Sequence, residues 1–425
     1  MKAFAGALVA ACLASAAAAQ IPYGPVETPA PGASVCPGGL CQAEALSGVF
    51  EALARAESGS SAQPVHILQI GDSHTAGDRI TGRLRAALQA RFGDGGRGVL
   101  PPGVPHDGYA PLQVEVTANG WTTTLAPLAG RTGYQYFNVG LTGVQQLDTE
   151  PAGRLTIRPE PDARAMTIGL CWEAPWGVVV SDEDETWTLA SVPYDAGSDA
   201  GMACRNLHPV TRPGAITLRP ADPERPVVIL DHISLMNDGP GVVVSNLGVV
   251  GATLRDLGAR DEGIVDLELR TWRPALIVLA FGTNEGFDDA LDGPTYEALL
   301  RGQITRLRRL APGASLMILG APDALRNGVI NGCSADGRRA PPPSLAVVRD
   351  VQRRVAADVG VAFWDWHGRM GGDCSTDRLA TRGEPFVWGD RVHFTSVGSD
   401  WIGGMLNADL MAAYDAWSAR REGTD

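Results

Sequence analysis

Short apolar runs, each ending in a turn and giving way to a helical pattern, constrain this chain more than any other feature. Val65-His66-Ile67-Leu68-Gln69-Ile70 enters Gly71-Asp72-Ser73-His74, after which Ile80, Leu84 and Leu88 mark one face of a helix. Val242-Val243-Val244 leads through Asn246-Leu247-Gly248-Val249-Val250-Gly251 into a second helical stretch. Leu276-Ile277-Val278-Leu279-Ala280 runs into Gly282-Thr283-Asn284-Glu285, followed by a helix over about 295–310. Leu316 to Leu319 precedes a helix near 344–359, Val361 to Trp364 precedes the last loop, and a closing helix covers about 397–418. Apolar strands alternating with helices predict a parallel sheet with helices on both faces.

Residues 101–240 break this rhythm. Short strand-like runs recur there between turn residues: 112–116, 120–125, 165–170, 186–189, 215–218 and 227–230. That spacing predicts a β-sandwich or jelly roll. Tyr109, Trp121, Tyr134, Tyr136, Trp172, Trp176, Trp187 and Tyr194 lie in or near these runs. Such rings either stack on sugars or fill a small β core, and the second role is the commoner one.

Composition removes several function classes. The net charge of −13 supplies no basic face for nucleic acid. Lys2 is the only lysine, so a lysine Schiff base and a P-loop lysine are both excluded once an N-terminal signal is removed. Residues 1–20 have that signal's anatomy: Lys2, a short apolar stretch from Ala3 to Leu13, and Ala17-Ala18-Ala19 before Gln20. No stretch reads as a transmembrane span. Beyond Cys12 the cysteines are Cys36, Cys41, Cys171, Cys204, Cys333 and Cys374, an even set that in an exported chain predicts disulfides. The sequential pairing keeps each bridge within one region. His66, His106, His208, His232 and His367 lack metal-ligand spacing, and Asp288, Asp289 and Asp292 read as a solvated acidic loop. No metal, no cofactor and no obligate protein partner is expected.

Ser73 stands at a strand-to-helix turn, where backbone amides and the helix dipole favour an oxyanion. A hydroxyl nucleophile needs a base. His393, in Gly389-Asp390-Arg391-Val392-His393-Phe394-Thr395 before the last helix, fits that need. Asp390, three residues earlier, is placed to hold its tautomer.

Those residues resemble the SGNH (GDSL-type) hydrolases. Gly71-Asp72-Ser73-His74 resembles the family's nucleophile block, Asn246 to Gly251 its glycine block, Gly282-Thr283-Asn284-Glu285 its asparagine block, and Asp390-Arg391-Val392-His393 its Asp-x-x-His block. The resemblance covers residues 64–98 and 241–418. It implies a three-layer α/β/α sandwich with a five-stranded parallel sheet, plus an inserted β-sandwich or jelly-roll domain. The implied roles are Ser73 as nucleophile, His393 as base and Asp390 as its orienter. The amides of Ser73 and Gly251 and the side chain of Asn284 would form the oxyanion hole, with Gly248 the rival to Gly251. Two residues depart from the usual pattern: leucine is commoner where His74 stands, and aspartate is commoner than Glu285.

The organisation this implies is a signal peptide over 1–20, a Pro/Gly-rich leader over 21–42, and hydrolase parts over 43–100 and 241–418. Between them lies a carbohydrate-binding-like β insert over 101–240, and a tail covers 419–425. A β domain placed after the first α/β unit resembles bacterial peptidoglycan O-acetylesterases. That likeness implies an exported, periplasmic esterase acting on an acetylated polysaccharide, foremost the 6-O-acetyl group of N-acetylmuramic acid in peptidoglycan. An O-acetyltransferase, an esterase for another acetylated polysaccharide, and a non-catalytic glycan-binding envelope protein remain as alternatives.

Overall fold

The computed structural model describes residues 34–125, 139–148, 152–160, 166–174, 176–189, 202–209, 214–225 and 228–423. The signal segment, the leader up to residue 33, Tyr134, Tyr136, Tyr194 and residues 424–425 lie outside the described residues.

Elements are numbered in chain order. The chain opens with β1 (Leu40–Cys41), α1 (Ser47–Glu57), β2 (Val65–Gly71), α2 (Ser73–Ala76) and α3 (Arg79–Phe92). Strands then follow one another: β3 (Gly98–Leu100), β4 (Val114–Asn119), β5 (Trp121–Leu125), β6 (Val144–Asp148), β7 (Arg154–Pro159) and β8 (Met166–Glu173). The run continues with β9 (Val178–Ser181), β10 (Thr186–Leu189), β11 (Ala203–Leu207), β12 (Ile216–Pro220) and β13 (Val228–Asn237). Alternation returns with β14 (Val242–Gly248), α4 (Leu254–Gly258), α5 (Glu262–Trp272), β15 (Leu276–Ala280), α6 (Thr283–Gly286) and α7 (Gly293–Leu310). The chain closes with β16 (Ser315–Leu319), β17 (Arg326–Asn327), β18 (Arg339–Ala340), α8 (Pro343–Val359), β19 (Ala362–Trp364), α9 (Trp366–Arg369), α10 (Ser375–Thr381) and α11 (Ser396–Glu422).

The sheet that carries the turns of interest runs β1-β19-β16-β15-β2-β14. Its five main strands are mutually parallel, and β1 adds an antiparallel edge through Leu40 and Trp364. Along β15 the side chains alternate: Leu276, Val278 and Ala280 join the core under α1, α3 and α11, whereas Ile277 and Leu279 join the core under α4, α5, α7 and α8. Burial on both faces is why these strands read as unbroken apolar runs. The result is a mostly parallel sheet between two helical layers.

Two features differ from the sequence reading. Within the Pro/Gly-rich leader assigned to 21–42, residues 40–41 pair with β19 and Cys36 bridges Cys41. A two-residue strand carries no periodicity to read. The closing helix also continues to Glu422, into the segment taken as a tail.

Between residues 114 and 237 two antiparallel sheets form, β10-β9-β12-β7-β4 and β11-β8-β13-β6-β5, with β3 pairing β13. Leu155, Val180 and Leu218 from the first share a core with Ile168, Leu230 and Ile233 from the second. Trp121 and Trp172 are buried in that core and Trp187 packs against it, while Trp176 is exposed under the Arg225 guanidinium. The sequential disulfides Cys36–Cys41, Cys171–Cys204 and Cys333–Cys374 are all present. Among the described residues no helix is long and apolar enough to cross a membrane.

Candidate active site

The turn that carries Ser73 is set by β2, all of whose residues are buried. Gly71 passes so close to β15 that a Cβ would stand 2.6 Å from the Ala280 carbonyl oxygen. Asp72 then caps α2, accepting the His74 amide at 2.9 Å. Ser73 is therefore the first residue of α2, and the amides of a first helical turn lack intrahelical partners.

The loop before α11 brings His393 to this serine. Ser73 Oγ lies 3.0 Å from His393 Nε2, and His393 Nδ1 lies 2.7 Å from Asp390 Oδ2. The other oxygen, Asp390 Oδ1, accepts the amides of Val392 at 2.9 Å and His393 at 3.1 Å. Burial opposes charge on Asp390, but the His393 bond and those two amides hold its carboxyl below the usual range. The His393 and Asp390 side chains keep 47% and 46% of their exposure, which leaves room for a substrate to approach. Arg391 adopts a left-handed φ of 62°, unfavourable for a bulky residue. It is held there by Asp377, whose Oδ1 accepts from Arg391 Nε at 2.8 Å, and by the Leu325 amide on its carbonyl at 3.0 Å.

The three oxyanion candidates also converge on the end of the sheet. The Val249 amide donates to the Gly71 carbonyl at 3.0 Å, which draws the 249–252 turn beside the nucleophile turn. Asn284 Nδ2 donates to the Ala252 carbonyl at 2.9 Å, which sets that side chain against the same turn. Gly251 has a φ of 79°, where a side chain would be strained. Gly248, its rival, is instead the last residue of β14, opposite Gly71, and a Cβ on it would overlap the backbone nitrogen of Ala76. The two glycines thus differ in kind: Gly248 makes room for α2, and Gly251 makes the turn.

Several buried polar groups around the site went unread in the sequence. Asp78 accepts from Arg85 Nη2 at 2.7 Å and Arg97 Nη2 at 2.8 Å, and all three are buried. Arg97 also donates to Asn246 Oδ1 at 3.0 Å, and Asn246 Nδ2 donates to the Thr75 carbonyl at 3.2 Å, so the network props α2 from beneath. Arg85 follows Leu84 on a helix whose apolar stripe gives no hint of a buried cation. His74 is buried, its ring stacked on that of His393 at 5.6 Å between centroids. Burial disfavours its charge, but the Asp72 hydrogen bond and charge outweigh that and raise its pKa. Glu285 accepts the Leu254 amide at 2.8 Å, and burial pushes its carboxyl up to about 7.

Two clusters have metal-ligand composition: Asp231, His232 and Glu268, and Asp323, His367 and Asp373. Most of their atoms are already engaged, while Glu268 Oε1 and Asp323 Oδ1 are buried without a hydrogen-bond partner. Trp272 Nε1 donates to His232 Nε2 at 3.1 Å, which places the His232 proton on Nδ1, facing Asp231 Oδ2 at 3.0 Å. His367 Nε2 and Arg349 Nη2 both donate to Asp373 Oδ1, and Asp323 Oδ2 accepts from Ser375 and Thr376.

The sequence model of the GDSL-like Lipase/Acylhydrolase family matches residues 232–401. A solved peptidoglycan O-acetylesterase superposes with a TM-score of 0.74 at 26% identity, covering 89% of this chain and 99% of that one. A lipase/acylhydrolase from Enterococcus faecalis gives 0.28 at 20% identity over 40% of this chain and 75% of that one. The acetyl xylan esterase AlAXEase gives 0.29 at 16% identity over 39% and 79%. No curated protein matches by sequence. The fold and the family match support a carboxylic ester hydrolase that resembles the SGNH, GDSL-like class. Within that class the chain resembles the peptidoglycan O-acetylesterases.

Proposed function

We propose that the chain is an exported serine esterase that removes O-acetyl groups from a cell-envelope glycan, foremost the 6-O-acetyl group of N-acetylmuramic acid in peptidoglycan. The observation that carries the mechanism is the continuous hydrogen-bonded line from Ser73 Oγ through the His393 ring to Asp390, at 3.0 and 2.7 Å. His393 takes the Ser73 proton as Oγ attacks the ester carbonyl, and Asp390 steadies the imidazolium that forms. The amides of Ser73 and Gly251 and the Asn284 side chain receive the developing oxyanion, each such donor being worth roughly 3–4 kcal/mol in the transition state. His393 returns the proton to the sugar oxygen as it leaves. A water activated by the same ring then hydrolyses the acetyl-serine, releasing acetate. The site is assigned no metal and no cofactor.

The substrate reading draws on the near end-to-end likeness to a peptidoglycan O-acetylesterase. In the same reading residues 101–240 are an inserted β-sandwich or jelly roll of carbohydrate-binding type, residues 1–20 direct export, and the periplasm is the working compartment.

The test is acetate release from O-acetylated peptidoglycan, with an aryl acetate in parallel, comparing the wild type with Ser73→Ala. Release from both substrates that disappears in the variant is expected. Cleavage of the aryl ester alone removes peptidoglycan as the substrate, and acetyl recovered on an added sugar acceptor makes the enzyme a transferase. Undiminished turnover by Ser73→Ala removes Ser73 as nucleophile.

A further inference from the structure

His74 belongs to the nucleophile block, yet the mechanism above gives it no task. Its ring is buried, with 8% of the residue exposed, and both ring nitrogens have partners. Nδ1 lies 3.2 Å from Asp72 Oδ1, and Nε2 lies 3.1 Å from the carbonyl oxygen of Val392. A backbone carbonyl can only accept, so Nε2 carries a hydrogen. Asp72 Oδ1, which Nδ1 faces, already accepts the His74 amide, so the oxygen acts as an acceptor and a hydrogen on Nδ1 completes the contact. Both nitrogens therefore donate, and the ring is an imidazolium paired with Asp72.

What these two bonds hold follows from their ends. Asp72 caps the helix that begins with Ser73. Val392 immediately precedes His393, and the peptide group between them is gripped at both ends: its carbonyl by His74 Nε2, its amide by Asp390 Oδ1 at 3.1 Å. The orientation of that peptide fixes the direction in which the His393 side chain leaves the backbone. The Trp366 and Phe394 rings meet the His74 ring in T-shaped contacts, with centroids 5.4 and 5.8 Å away, and set its plane.

We infer that His74 is a positioning residue whose ring cross-links the nucleophile turn to the base loop, donating to Asp72 and to the Val392 carbonyl, and thereby fixes where His393 points. The inference rests on Ser73 and His393 being the reacting pair. A leucine at this position fills similar space but donates nothing, so packing and positioning are separable by substitution.

Three variants separate the two bonds. In His74→Gln the amide nitrogen reaches the place of Nε2 and can still serve Val392; in His74→Asn it reaches only the place of Nδ1; His74→Leu keeps neither. On an aryl acetate, His74→Leu and His74→Asn are expected to lose about tenfold or more in kcat with KM within about twofold, because misplaced catalytic groups slow chemistry without weakening binding. His74→Gln should recover kcat to within roughly threefold of wild type. The low-field proton resonance of the His393–Asp390 hydrogen bond gives a readout free of turnover. It should persist in wild type and His74→Gln and broaden or vanish in the other two. A His74→Leu variant with wild-type kcat and an intact resonance overturns the inference. So does equal damage in the Gln and Asn variants, or losses that follow only the melting temperature. Full activity of Ser73→Ala would instead break the mechanism on which the inference rests, and the resonance would still report whether His74 holds the base loop.

Discussion

Asp390 shows how much one carboxylate does in this site. One oxygen faces His393 Nδ1 and the other receives two amides of its own loop, so the group both orients the ring and closes the turn that carries it. Asp390→Asn preserves the size of the group but sets an amide against the ring proton, favouring the wrong tautomer. By the behaviour of serine-protease triads, kcat on an aryl acetate should fall by about 10² to 10⁴ with little change in folding. A fall under about threefold in steady-state kinetics would remove Asp390 from the mechanism. The meeting of Ser73, Asp390 and His393 was legible in the sequence because a hydroxyl, an imidazole and a carboxylate stand at turns beside strand and helix ends. His74 and Glu285 were visible only as departures from a pattern. The meaning of His74 depends on a carbonyl 318 positions away, and no local spacing encodes such a partner.

Elements succeed or fail here on how closely they approach. The helix α2 is only four residues long, too short to be stable by itself, and it takes its place by resting on β14 where Gly248 has no side chain. Gly248→Ala drives a methyl into the Ala76 backbone and must lift α2, and Ser73 with it, off the sheet. A loss of about 1–3 kcal/mol in denaturant unfolding is expected, together with at least a tenfold slowing of Ser73 labelling by an organophosphonate. Unchanged labelling would show that the serine turn does not depend on this contact. The parallel strands were readable because burial on both faces writes them as apolar runs, and α7, α8 and α11 because their stripes are long. By contrast β6, β7, β9 and β11 were missed. In β7 and β11, arginine and asparagine stand among the apolar residues, and in the two-sheet region only one face of a strand needs to be apolar. The strand β1 was hidden for another reason: a bridge and an edge pairing create it, not a hydrophobic pattern.

At the scale of the whole molecule, buried titratable groups set how stability answers to pH. His66, bonded to Ser245 Oγ and the Trp272 carbonyl, is pushed down by burial to about 4. Unfolding frees it to bind a proton, so stability is lost as pH falls from 6.5 towards 4, by about 3 kcal/mol in all. Glu285 acts in the opposite sense. Its carboxyl sits at about 7 instead of 4.5, so the folded state keeps a proton that the unfolded chain releases, and about 3 kcal/mol is lost as pH rises through that interval. Between pH 4.5 and 6.5 the two slopes offset each other. Above that window the losses add. Glu268, raised by burial and by neighbouring Asp231, adds a loss of its own from pH 4.5 upwards, and above 6.5 the raised His74 loses the charge that pairs it with Asp72. Asp78 is opposed by burial but held low by Arg85 and Arg97, so it contributes only on the acid side, below this range. Unfolding free energies from denaturant titrations should therefore fall from about pH 5 to 6.5, where only the His66 slope opposes those of the two carboxyls, and fall further by about pH 8.5. Glu285→Gln removes one of the opposing slopes. The variant should match the wild type in mild acid, exceed it by about 3 kcal/mol at the alkaline end, and stay nearly level between pH 4.5 and 6.5, where the His66 and Glu268 slopes offset each other. A wild type that grows more stable from about pH 6.5 to 8.5, or a variant parallel to it throughout, would show that these buried groups do not govern the curve.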